Sequence, residues 1–62
     1  MLRIREILDN KGLSQVWLAD KINKNVVTVS NWCQNKNQPS LKTLVSIAKV
    51  LNIKISELFI EN

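Results

Sequence analysis

Apolar residues recur along this chain at intervals of three and four, the spacing of one helical face. Leu2, Ile4, Ile7 and Leu8 form the first such face, with charged neighbours turned away, and Gly12 stands where a left-handed cap would stop it. The pattern predicts a first helix over roughly residues 2 to 10. Ser14 is suited to cap a second helix whose inward side is Val16, Leu18, Ala19 and Ile22, and Asn23 is the residue best able to turn the chain with positive φ. The next stretch, NVVTVSNWCQNKN, is less obvious: its valines and threonine favour a strand. Projected as a helix, it gathers Val29, Trp32 and Cys33 on one side and Val27, Thr28, Ser30, Asn31 and Gln34 on the other; as a strand it gives no clean face. Helix is expected, because propensity differences of a few tenths of a kcal/mol lose to burying a tryptophan at ~1.5 to 3 kcal/mol. A polar loop, Asn35 to Pro39, leads to a fourth helix capped by Ser40, with a buried stripe of Leu41, Leu44, Val45, Ile47, Ala48 and Leu51. Asn52 marks its end, and a short last helix from Ile55 to Ile60 is expected to give Leu58 and Phe59 to the core.

Five short helices in one all-α domain spanning residues 1–62 follow from this pattern. The chain is too short for a second core, and its single cysteine, Cys33, forms no internal disulfide. No apolar run approaches a membrane span, and the charged start is unlike a signal peptide, so a cytoplasmic, reducing setting is expected. The net charge of +4 is unevenly placed: from Asp20 to Glu57 there is no acidic residue, while Lys21, Lys24, Lys36, Lys42, Lys49 and Lys54 fall between them. That distribution favours an anionic polymer as partner over merely solubilising lysines.

Catalysis is not expected. The chain has no histidine and no glycine-rich phosphate loop, and Cys33 points inward without a base to ionise it. No metal, cofactor or small-molecule effector is indicated.

A short helix, a tight turn and a helix with an amide-rich outer face together suggest a helix-turn-helix over about residues 14 to 35. Here Leu13-Ser14-Gln15, Leu18-Ala19, the tract Val29 to Trp32, Pro39-Ser40 with Leu44, and Ala48 followed by Leu51 and Leu58 share their spacing with the Cro/C1-type (phage repressor and XRE-like) DNA-binding family, which the chain resembles from Ile4 to Phe59. The resemblance implies a compact five-helix, lambda-repressor-like fold and a transcriptional regulator that acts as a repressor. It implies that Asn25, Val26, Val27 and Asn31 face base edges and that Gln15, Thr28, Asn35 and Lys36 hold the phosphate backbone, with Lys24 and Lys42 adding charge. Projection independently turns Val27, Thr28 and Asn31 outward but sets Val26 nearer the core. Asn31 suits adenine, exposed valine methyls suit the thymine methyl, and the helix has no arginine to grip guanine, so an A·T-rich half-site is expected at the contacted positions.

The chain departs from the family pattern where Leu8 and Cys33 replace an arginine and a glutamate that commonly pair inside the core; both charges are lost together, so neither is stranded. The expected partner is double-stranded DNA, bound as a homodimer on a palindromic operator, with Ile53, Ile55 and Ile60 as the apolar residues left for the dimer surface. A protein-interaction module such as an antitoxin is the rival from another class, since the same fold can serve another partner. Among single residues, Trp32 reads as core, Trp17 as local packing, and Lys49 and Lys54 as solvated.

Overall fold

The computed structural model describes residues 1–60 and contains α1 (Ile4–Lys11), α2 (Gln15–Lys21), α3 (Val26–Cys33), α4 (Leu41–Leu51) and a 3-10 helix (Ile55–Leu58). Each predicted element is present. The junctions explain why they end where they do. Gly12 closes α1 at φ 69°, while Asn23 and Asn52 take φ 57° and 56° after α2 and α4, as expected of a residue that tolerates the left-handed region. Asn35 does the same after α3, at φ 56°. Ser14, Asn25 and Ser40 cap α2, α3 and α4 by accepting the backbone N–H groups of Trp17, Val27 and Thr43.

The core lies between the four helices and the 3-10 turn. Ile4, Leu8, Leu18, Val29, Ile47 and Leu58 are its most deeply enclosed side chains, with Trp32 and Cys33 beside them. The tryptophan phase that decided α3 as a helix is therefore correct. Leu8 and Cys33 occupy the same apolar cluster, in the space where the family pattern would place an ion pair. Trp17 packs against the edge of the core, and Lys21 Nζ sits 5.8 Å from its ring centroid.

Several expectations need correction. Leu2 is buried as expected but is not helical; it forms an antiparallel bridge with Phe59, closed by Arg3 N–H donating to Leu58 O (2.9 Å) and Ile60 N–H to Met1 O (3.0 Å). Its own N–H and C=O point the other way and meet Asn35, whose Oδ1 accepts at 2.9 Å and whose Nδ2 donates at 3.1 Å. One side-chain amide thus replaces the peptide group of a neighbouring strand. The last helix ends at Leu58, and Phe59 is extended and 38% exposed, because successive residues of an extended segment face opposite ways. Val16, Leu41 and Val45 are exposed, Leu41 by 70%. On α4 the stripe centres on Leu44, Ile47, Ala48 and Leu51, which sets Leu41 and Val45 roughly 70° and 110° off its axis. Ile53 and Ile55 pack against the core and are not surplus surface, whereas Ile60 is 43% exposed. Among the described residues, no helix is long and apolar enough to cross a membrane.

Candidate nucleic-acid interface

The turn between α2 and α3 is made by backbone bonds that local sequence can supply. Asn23 N–H donates to Asp20 O and Lys24 N–H reaches back to Ala19 O at 2.9 Å, a left-handed closure that stops α2 and re-aims the chain. Asn25 then opens α3 by accepting Val27 N–H on Oδ1 at 2.7 Å. With Val29, Trp32 and Cys33 buried, the opposite side of α3 must face outward.

That side carries most of the predicted base-reading residues. Val27 is 64% exposed, and Val26, which projection set nearer the core, is 40% exposed at the first helical position. Asn31 and Thr28 are half-buried along the same helix. Asn25 stands at its start with Oδ1 occupied by the cap and Nδ2 outside that bond. Gln15, half-buried, is the first residue of α2, beside backbone N–H groups that a helix of this length leaves unpaired.

The predicted phosphate contacts divide. Lys24, Lys36 and Lys42 are exposed. Lys24 and Lys42, 18 positions apart by their numbering, line one groove with Ser40, Thr43 and Ser46 over the side chain of Ile22, so the turn of the helix-turn-helix and the start of α4 present a common basic, hydroxyl-lined surface. Ser40 Oγ donates to Thr43 Oγ1 at 3.0 Å within it. Asn35 is different: its amide holds Leu2, so its largest visible role is to fasten the end of α3 to the amino-terminal segment.

Sequence reasoning set Ser30 and Gln34 on the outward side of α3 but did not pair them. Gln34 Nε2 donates to Ser30 Oγ at 3.1 Å on the outward side of α3, just beyond Asn31. Their i, i+4 spacing was the signal that could have found them.

Four packed helices with the second and third joined by this tight turn, and a polar, lysine-flanked outer face on the third, define a helix-turn-helix DNA-binding domain. The helix-turn-helix family matches residues 4–58, and the chain belongs to that family, of XRE type. An uncharacterised helix-turn-helix-type transcriptional regulator of Archaeoglobus fulgidus is 38% identical over 58 residues, covering 94% of this chain and 83% of the relative. A crystal structure of a candidate DNA-binding protein from Bacteroides fragilis superposes with a TM-score of 0.90 at 41% identity, covering 94% of each chain. The family and these relatives place the chain among DNA-binding regulators and not among enzymes.

Proposed function

We propose that the chain is a sequence-specific regulator of transcription, acting as a repressor, that lays α3 in the major groove of double-stranded DNA. The observation that carries this reading is the division of α3: Trp32 and Cys33 lock one side into the core, while Val26, Val27 and Asn31 are left along the other, and the turn before α3 shares a basic groove, through Lys24 and Lys42, with the start of α4. In this reading Asn31 takes adenine N6 and N7, Val26 and Val27 meet thymine methyls, and Asn25 contacts the edge of the site. Gln15, Thr28, Lys24, Lys36 and Lys42 hold phosphates, and Asn35 supports the same strand contact through the loop it anchors.

A homodimer on a palindromic operator completes the reading. The longest dimension of the chain is 29 Å, whereas successive major-groove faces lie about 34 to 36 Å apart. One copy spans one half-site, and a second copy is required for the other.

Fluorescence anisotropy on operators selected from a random duplex pool tests this. Asn31→Ala should reduce discrimination at its base pair by roughly 5- to 150-fold, and Lys24→Ala, Lys36→Ala and Lys42→Ala should each weaken binding to all sequences and flatten the salt slope by about one. Affinity that does not change between about 50 and 200 mM salt would refute the proposal.

A further inference from the structure

Two valines stand bare at the head of α3. Val26 and Val27 are exposed, and neither belongs to the core cluster or to the half-buried residues packed against it. Helix stability does not call for them, since β-branched residues are among the weaker helix formers. What valine supplies in such a place is a stiff apolar surface: in a helix its χ1 keeps one rotamer about nine times in ten, so both γ-methyl groups are fixed before anything docks. The backbone beneath is held too, by Val27 N–H donating to Asn25 Oδ1 at 2.7 Å. Lys24 before the helix and Lys36 after it are exposed, so this apolar tip sits in a cationic surround that suits duplex DNA over an apolar partner.

The polar groups of α3 are placed to read something else. Asn31 lies four residues beyond Val27, a rise of roughly 6 Å and so about two base-pair steps of 3.4 Å, and the adenine it suits belongs to a different pair. Around Val27 the side-chain oxygens are engaged or turned aside: Asn25 Oδ1 accepts Val27 N–H, Ser30 Oγ accepts Gln34 Nε2 at 3.1 Å, and Thr28 projects roughly 100° away. No carboxylate occurs between Asp20 and Glu57 to take a cytosine amino group. In the major groove, the pair under Val27 meets apolar surface alone, and the apolar mark that thymine shows there is its C5-methyl group. That group is not thymine's own. The base 5-methylcytosine carries it at the same place, whereas cytosine and uracil lack it. We propose that Val27, with Val26 beside it, reads a pyrimidine C5-methyl group, so that 5-methylcytosine replaces thymine at this pair and C5-methylation of a cytosine there raises the affinity of the operator. The inference rests on the major-groove reading above and adds to it a chemical state of DNA that sets occupancy.

Fluorescence anisotropy on the selected operator, with bases exchanged in one half-site, tests it. Deoxyuridine in place of each thymine in turn should weaken binding by about 4-fold at the pair under Val27, the worth of one buried methyl group. At that pair, 5-methylcytosine with guanine should bind about 4-fold more tightly than cytosine with guanine. Val27→Ser, at an exposed site that leaves melting unchanged, should bind the thymine and deoxyuridine duplexes alike, and the cytosine and 5-methylcytosine duplexes alike. A scan in which no position responds to loss of the methyl overturns the proposal while selective binding persists. So does 5-methylcytosine bound no better than cytosine, an outcome that assigns the reading of thymine O4 to a polar group. A methyl effect of full size in both Val27→Ser and Val26→Ser also overturns it, by placing the methyl reader elsewhere. A pool that yields no bound duplex ends the DNA reading itself, and this inference with it.

Discussion

Replacing Asn35 separates two roles played by one side chain. Its φ of 56° puts the backbone in the left-handed region, and its amide supplies both an acceptor and a donor to the buried Leu2 backbone. Asn35→Gly keeps the backbone shape and removes the amide. Two buried groups, the Leu2 N–H and C=O, are then left without partners, each at a cost of ~1 to 3 kcal/mol. Water or small shifts at the half-exposed loop recover part of this, so the glycine variant should lose about 2 to 3 kcal/mol. Asn35→Ala removes the amide and forces a Cβ into the left-handed region at ~1 to 2 kcal/mol, offset by glycine's larger unfolded-state entropy of about 0.4 to 1 kcal/mol. Alanine should therefore be worse than glycine by about 0.5 to 1 kcal/mol. A domain of this size has roughly 3 to 9 kcal/mol in total, and each kcal/mol moves Tm by about 4 to 8 °C. Thermal melts by circular dichroism should place the glycine variant at least about 8 °C below the native protein, with alanine lower still. A glycine variant within about 4 °C of native would mean that the amide does not hold the amino-terminal segment. Equal losses for the two variants would refute the left-handed argument. Urea midpoints at constant m give the same comparison without heating.

Burial pushes the Cys33 thiol up from its ordinary 9.0, opposed by Arg5 and aided by Asp9. Its folded pKa exceeds its unfolded one, so the neutral thiol contributes stability that is complete below the unfolded value and lost as pH rises through the folded value. Native Tm should fall faster above pH 9.0 than that of Cys33→Val; parallel curves would refute this, and a native thiol that reacts as quickly as the unfolded one would refute its burial. Ser14→Ala removes the acceptor of Trp17 N–H at the head of α2 and should lower stability by about 1 kcal/mol in the same melts, with no loss meaning that the cap contributes nothing.

How legible each feature was depended on the range of the contacts behind it. The α3 assignment needed only the phase of Trp32 against Val29 and Cys33, and the turns after α1, α2 and α4 needed only residues that tolerate positive φ. The amino-terminal bridge was not legible. Leu2 fits the apolar phase of α1, and what draws it out of the helix is an amide 33 residues away and a segment at the far end of the chain. The same limit applied to Leu41 and Val45, since a helix projection gives an apolar sector but not how wide a sector its neighbours cover. At the site, Val27 and Asn31 were accessible from phase alone, whereas the meeting of Lys24 with Lys42 across Ile22 exists only after α2 packs on α4. Phase also turned Gln34 and Ser30 outward, but their bond, within reach of the i, i+4 spacing, was not anticipated.

Among the described residues, Asn23, Asn35 and Asn52 hold three of the four left-handed junctions, and the chain has one glycine. Each such position could have been filled by a residue without a side chain, at the expense of a denatured ensemble with more conformations to surrender. Asparagine narrows that ensemble while still permitting the bend. Part of what keeps this small, disulfide-free chain folded therefore resides in the disorder it never had, where no contact in the native molecule can display it.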